Sequence, residues 1–469
     1  MIILGTNSIK ETGFNVANSV RLDNNAYFSR TFSETGAGSG GGTFKWTLSL
    51  WFKRSLIDGN EHVLMSRYVN ANKYVTIKIN GNNKIEYRVY NSGNQCRLTT
   101  TAGLRDPTAW THFVIGQDTS VGTAGDRTKF FINGSRVTAF DTQTNFSQNV
   151  GGDFNTASEH QLGAFNGGDE FQGYFAQVCF VDNVQYDADQ FGEFDSDSPT
   201  IWKPKDVSGL STGATSFFLD FADSGDLGDD ESGNTNDFTE NNLAATDQST
   251  DTCTLNYATF NPLNPAASNS SFAEGNLTFK TDGSASAQRA TFANFGISTG
   301  KWYAEFKLTA ESTTSGSFPY IGVAAIDKFA HTYIGANLDS VAFNSNQAVY
   351  SNESEIDSGE TNVGDGDIVG VAADITNKKI YFHVNGTYIN SQNPASGKNG
   401  YTLPNTTNGV YCFAASLYGA SGTWEANFGS PSFAISSGNA DANGYGNMEY
   451  AVPSGFLILN SANLGSDGG

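Results

Sequence analysis

Apolar and polar residues alternate along most of this chain. In TFKWTLSLWFKRS (43–55), Phe44, Trp46, Leu48, Leu50 and Phe52 fall on one side, and Lys45, Thr47, Ser49, Trp51 and Lys53 on the other. A period of two puts successive side chains on opposite faces of a strand. The same alternation returns at 62–68, 74–80, 84–90, 110–118, 129–137 and 173–183. It returns again at 276–281, 300–308, 320–326, 367–375, 378–386 and 422–430. Gly-Asn-Asn, Asp-Pro and Gly-Asp groups punctuate these runs, as turn formers do. No long stretch has a 3.6-residue apolar period, so the pattern predicts an all-β chain with very little helix.

One segment occurs twice. Residues 130–137 read FFINGSRV and residues 381–388 read YFHVNGTY. Each is an alternating strand that runs into Asn-Gly, a pair that tolerates the positive φ of a type I′ hairpin turn. The repeat predicts two antiparallel β-sandwiches in tandem, built on one plan, at residues 20–206 and 268–435. Residues 1–19 are then an arm or attachment segment, and 207–267 an acidic connecting segment. Within the latter, FFLDFAD (217–223) reads as a strand, so an ordered bridge is expected. Residues 436–469 close the chain with a terminal strand docked on the second sandwich. The expected core comprises Trp46, Leu48, Leu50, Trp110, Phe113, Phe131 and Phe175 in the first sandwich. In the second it comprises Trp302, Tyr303, Phe306, Val369, Val371, Ile380 and Phe382.

Composition narrows the function. Aromatics make up 13% of the 469 residues, with 35 Phe and 19 Tyr, and rings with this much glycine (52 residues) suit pleated faces joined by turns. The net charge of −22 disfavours nucleic acid, which needs basic grooves. No run approaches the ~18 apolar residues of a membrane span, and the N-terminal apolar run is too short for a secretory signal. Cys96, Cys179, Cys253 and Cys412 are scattered without metal-finger spacing, so free thiols and folding in a reducing cytosol are expected.

The order of WTHFVIGQD, KFFINGSRV, QLGAF and GYFAQVCFVDN over residues 20–200 resembles a laminin-G-like, concanavalin-type jelly roll. The order GKWYAEF, IGVAA, GDGDIVGVAADITNKKIYFHVNGTY and ANFG over residues 270–432 resembles a SPRY domain. DADQFGEF (187–194), DFTENNL with DTCTLNYATFNPLNP, and the closing PSGF segment resemble marine phage virion proteins. That resemblance implies a virion location in a tail fibre, spike or head fibre, with a homotrimer and other virion proteins as partners. The polar tail 465–469 is expected to need a neighbour to become ordered.

Catalytic chemistry finds little support. Concanavalin-like glycosidases carry alternating acids on one strand, aimed at a groove. The nearest strings are Glu193-Phe194-Asp195-Ser196-Asp197, placed after the last strand, and Glu353-Ser354-Glu355-Ile356-Asp357, placed in a polar loop. His62, His112, His160, His331 and His383 are dispersed, and His112 and His383 read as outward-facing or satisfied strand residues. No cofactor is required. Calcium is the one candidate, because Asp118 and Asp126 flank a loop just before the first Asn-Gly strand, as laminin-G-like domains would use them. Tyr333, Tyr350, Tyr401 and Tyr418 lie in or near expected loops, and flat rings there would stack on sugar faces. The reading is a non-enzymatic adhesion protein that binds host-surface glycan or another virion protein. A capsid-decoration protein and a polysaccharide-degrading enzyme are the alternatives.

Overall fold

The computed structural model describes residues 13–32, 45–210, 213–264, 270–282, 288–311, 318–327, 333–336, 339–418 and 420–467. Phe44, His331, the glycine loop 36–42 and residues 1–12 lie outside them, as do 468–469 of the tail. Strand accounts for 45% of the structure and helix for 6%, as the alternation predicts. The chain divides into two compact units, one ending at Thr254 and one beginning at Leu255.

In the first unit, two eight-stranded antiparallel sheets face each other. The first sheet is centred on Lys45–Arg54, Thr111–Asp118 and Gly173–Asp182. The second runs through His62–Asn70, Lys73–Ile79, Lys84–Asn91 and Asn94–Gly103. Trp46, Leu48, Leu50 and Phe52 enter the core between them. The segment expected as a bridge joins these sheets instead. Phe217–Leu219 pairs with Gly173–Asp182, Thr239–Asn241 with Tyr27–Thr31, and Gln248–Ser249 with Ser19–Leu22.

The second unit has a nine-stranded and a six-stranded sheet. Lys301–Ala310, Ile368–Asp374 and Lys379–Val384 are central to the larger one. Near the chain's end, Leu457–Ile458 adds to Lys301–Ala310 in parallel, and a short helix, Ser461–Asp467, follows.

All fourteen expected core residues are buried, but not all in the central cores. Trp110 and Phe131 lie in a second cluster with Trp51, Phe191, Trp202 and Val207. Tyr303 lies in one with Tyr257, Met448, Phe456 and Ile458. The outer face of one sheet in each unit is thus roofed by that unit's own later chain. Thr47, Ser49 and Lys53, polar positions of the alternating strand, are consequently buried as well.

The two Asn-Gly segments fold alike. Asn133 and Gly134 have φ of 46° and 76°, and Asn385 and Gly386 have 49° and 82°. Both pairs form two-residue turns, with Ser135 opposite Ile132 and Thr387 opposite Val384. The Asn133 Oδ1 accepts the His112 N–H at 2.8 Å, and the Asn385 Oδ1 accepts the Ile368 N–H at 2.9 Å. Each turn lies under an aromatic ring. A Cβ on Gly134 would come within 2.2 Å of Trp202, and one on Gly386 within 2.8 Å of Tyr450.

Glycine therefore serves both conformation and packing here. Gly59 has φ of 83° with nothing within 4 Å of a Cβ, so Gly59→Ala is expected to cost only the left-handed strain, about 1–2 kcal/mol. Gly134→Ala should cost clearly more in urea denaturation of the same protein. Equal losses would show that the Trp202 contact is not what Gly134 provides.

Candidate ligand-binding face

The six-stranded sheet of the second unit runs Gln288–Phe292, Tyr411–Tyr418, Tyr320–Ala325, Val341–Asn344, Val349–Ser351, Ser354–Asp357. Tyr411, Phe413, Ala415 and Leu417 point to the central core, and the alternate positions Cys412 and Ala414 to the outer face. Tyr320 stands opposite Ser416 on one neighbour and Asn344 on the other. The segment 333–336 lies across this outer face, where the Ile334 N–H donates to Ser416 Oγ at 3.2 Å. Gly335, with φ of 94°, lets it lie close, since a Cβ there would meet the Tyr350 Cβ at 2.8 Å.

The result is a three-ring cluster. Tyr333 stacks on Tyr320 with centroids 4.8 Å apart, and Tyr350 stands edge-on to both, at 5.8 and 6.1 Å. Tyr333 and Tyr350 are half-buried. The Tyr350 hydroxyl donates to the exposed Glu355 carboxylate at 2.9 Å. Burial, then that carboxylate, pushes the Tyr350 hydroxyl up to about 12, so it remains a donor at neutral pH. Rings with one polar rim and an exposed carboxylate can receive the apolar face and hydroxyls of a sugar.

The other expected tyrosines fare differently. Three of the four are on strands and not in loops: Tyr350 in Val349–Ser351, Tyr401 in Tyr401–Thr402, and Tyr418 at the end of Tyr411–Tyr418. Tyr418 shares the outer face by alternation and is half-buried opposite Gln288. Tyr401 packs at the edge of the central core, its ring 6.3 Å from Phe382. Its hydroxyl donates to Asp357 Oδ2 at 2.5 Å. It belongs to the core edge and not to the ring cluster.

Asp118 and Asp126 each have a basic partner. Asp118 pairs with Lys45 at 3.1 Å and accepts the Ser120 N–H and hydroxyl. Asp126, in the turn Ala124–Asp126, pairs with Arg136. A calcium ion between them would have to displace both ion pairs. Among the described residues, no group of three or more His, Cys, Asp or Glu side chains could hold a metal ion.

Each carboxylate string lies partly on a short strand: Glu193 and Phe194 end Gly192–Phe194 with Asp195 and Asp197 beyond it, and Glu355 and Asp357 are in Ser354–Asp357 with Glu353 in the turn before it. Gly192–Phe194 pairs with Trp202–Pro204, and Ser354–Asp357 is an edge strand. Their register explains the miss, since short ribbons among turn formers carry too few alternations to be seen. Glu193 and Asp195 both face Lys203, at 3.4 Å each. Glu355 holds Tyr350, and Asp357 holds Tyr401 and the Asn390 amide.

The buried histidines are satisfied. The Trp202 indole N–H donates to His112 Nδ1 at 2.9 Å, so the ring proton sits on Nε2 and reaches Ser49 Oγ at 2.8 Å. A serine base needs the opposite arrangement, an Nε2 able to accept the hydroxyl proton. The Gly386 N–H likewise donates to His383 Nδ1, whose Nε2 faces the Tyr303 hydroxyl at 2.7 Å. That hydroxyl donates to Glu305, which also accepts the backbone N–H groups of Glu449 and Tyr450.

One feature of the first unit escaped the sequence reading. On the outer face of its second sheet, Tyr68, Tyr74 and Tyr90 stand in one cross-strand row. The Arg88 guanidinium lies 4.9 Å from the Tyr90 ring and 5.5 Å from Tyr74. The signal was present in the outward positions of YVTIKI and KIEYRVY.

The comparisons follow the same division. Residues 21–187 match the family described as the Concanavalin A-like lectin/glucanases superfamily, and residues 301–426 match the SPRY domain. No curated protein matches. Among solved structures, the SPRY domain of human HERC1 is similar at 12% identity, covering 32% of this chain and 86% of that one, with a TM-score of 0.25. A human SPRY domain has 16% identity, coverage of 32% and 89%, and a TM-score of 0.24. The native heptameric SAP-like pentraxin from Limulus polyphemus has 13% identity, coverage of 37% and 80%, and a TM-score of 0.26. No helix among the described residues is long and apolar enough to cross a membrane.

Burial holds His112, His160 and His383 neutral, with pKa values lowered to about 3. An unfolded histidine titrates near 6.5, so each takes up a proton on unfolding between these values. Stability is therefore full above pH 7 and falls as pH drops below 6.5. At pH 5 the loss is about 2 kcal/mol per histidine. The first unit, with His112 and His160, should weaken more than the second. Urea titrations at pH 7.5 and 5, followed by unit-specific hydrogen exchange, measure this, and an unchanged first unit at pH 5 would refute it.

Proposed function

We propose that this chain is a non-enzymatic structural and adhesion protein of a bacteriophage virion that binds host-surface glycan. The tyrosine cluster carries the reading: Tyr333 and Tyr350, separated in sequence, come together over Tyr320 beside Glu355 on an outer sheet face. A lectin-type sandwich and a SPRY sandwich in one chain support a binding or adhesion role. The virion assignment rests on the resemblance of the acidic and closing segments to phage proteins, as does the homotrimer. Glu193 and Asp195 hold Lys203, Glu355 holds Tyr350, and Asp357 holds Tyr401 and an amide, which supports binding without bond cleavage.

Binding to purified host envelope polysaccharide should be saturable by calorimetry and release no reducing ends. Tyr333→Ala and Tyr350→Ala should each weaken it by about 5–10-fold, the worth of one aromatic contact. Tyr90→Ala, on the other unit, should leave it unchanged. Reducing ends abolished by Glu193→Gln or Glu355→Gln would favour the enzyme reading. Mass spectrometry of purified virions tests the location, and light scattering that gives a stable monomer would remove the trimer.

A further inference from the structure

The first unit holds a cavity of 310 Å³ that none of the chemistry above uses. It lies where Gly173–Asp182 carries a bulge. Ala176 stands opposite Trp51 and Cys179 opposite Ser49, so Gln177 and Val178 share one partner position. Gln177 has φ of 47°, lines the cavity and is only 3% exposed. Its Nε2 donates to the Lys205 carbonyl at 2.6 Å, and its Oε1 has no donor among the described residues. A buried amide oxygen left open toward a cavity is an acceptor awaiting a donor.

The remaining lining is consistent in sign. Phe14 and Phe218 contribute rings, and Asp206 and Asp220 contribute carboxylates. One oxygen of each carboxylate serves a local turn. Asp206 Oδ1 accepts the Ser208 N–H and hydroxyl at 3.0 and 2.7 Å, and Asp220 Oδ1 accepts the Ala222 N–H at 2.8 Å. The second oxygens remain for a ligand. No Lys, Arg or His lines the cavity.

We infer that this cavity binds a primary alkylammonium group. Asp206 is exposed and Asp220 half-buried, and neither carboxylate has a cationic partner among the described residues, so the lining repels anions and attracts a cation. An ammonium satisfies both carboxylates, gives its third proton to Gln177 Oε1, and is attracted to the negative faces of the two rings. Its methylene stem suits the apolar part of the wall, and the volume suits a small ligand. The group can come from a free diamine or from a lysine side chain of a protein partner. This site is independent of the glycan reading, because it uses other residues in the other unit.

Calorimetric titration of the full chain with putrescine and with Nα-acetyl-lysine methylamide tests it, with n-butanol and glucose as neutral probes. Saturable amine binding without n-butanol or glucose binding is expected. The combined Asp206→Asn and Asp220→Asn variant should weaken it at least about tenfold. Ala17→Trp, at an exposed lining position, should abolish it by filling the cavity. Tighter binding of the lysine derivative assigns a protein lysine as the source, and tighter putrescine binding assigns a free diamine. Absent saturable amine binding, glucose binding lost in Ala17→Trp, or amine binding unchanged by both variants would overturn the inference. If circular dichroism shows the aspartate variant misfolded, Ala17→Trp alone decides.

Discussion

The side-chain oxygen of one asparagine in each unit fixes the rest of that unit. Asn133 and Asn385 enter a left-handed turn and at the same time accept a backbone N–H from the neighbouring strand, from His112 and Ile368 respectively. Their own N–H groups return to the carbonyls of those same residues. The side chain thus ends the ladder with a paired group where a turn would otherwise leave one open. It also locks the register, and register decides which face of a strand becomes core. Phe113 opposite Ile132 and Val369 opposite Val384 follow directly from the two locks.

The glycine beside each asparagine leaves space for a ring, and the ring comes from later chain. Trp202 fills the space at Gly134 and Tyr450 at Gly386. For the ring to arrive, the later chain must return across that sheet's outer face, which it then buries. Polar residues there lose water and need partners. Lys53 meets the Asp251 carboxylate, which also accepts the Trp110 indole N–H at 3.1 Å. Ser49, His112 and Trp202 form one chain of hydrogen bonds, and His383, Tyr303 and Glu305 form another. Glu305 shows the logic most plainly. Burial raises its pKa, and the two backbone N–H groups it accepts are those of the roofing segment itself.

This roof is the part of the fold that the sequence did not make legible. Alternation identified the strands, and Asn-Gly identified both hairpins, because these are local signals. That Trp46 and Trp51 would both be buried, on opposite faces, depends on what lies over Trp51, and its neighbours Phe191 and Trp202 are distant in sequence. The segment 207–254 misled for a related reason. Its acids and turn formers, with a strand at 217–223, read as an ordered bridge, yet three-residue and two-residue strands suffice to extend an existing sheet edge. In the ligand-binding face, Tyr333 and Tyr350 were visible as aromatics near loops, but Tyr320 was not. It reads as the first residue of a buried strand, and only the segment 333–336 lying across the sheet makes it the floor of a cluster.

With one outer face of each sandwich roofed, the opposite sheet keeps the more open face, and each such face carries an aromatic group. Tyr68, Tyr74, Tyr90 and Arg88 occupy it in the first unit, and Tyr320, Tyr333 and Tyr350 in the second. The division separates two kinds of polar chemistry. Under the roofs, His112, Tyr303, Glu305 and His383 are buried and hydrogen-bonded, where they hold chain to sheet. The open faces carry carboxylates such as Glu355 in contact with water, beside rings held rigidly by a sheet. Acid–base catalysis needs the features of both places at once, a shifted group and access to substrate. Recognition needs only the second, a rigid edge with rings and a few donors and acceptors, and the cluster of Tyr320, Tyr333 and Tyr350 supplies it.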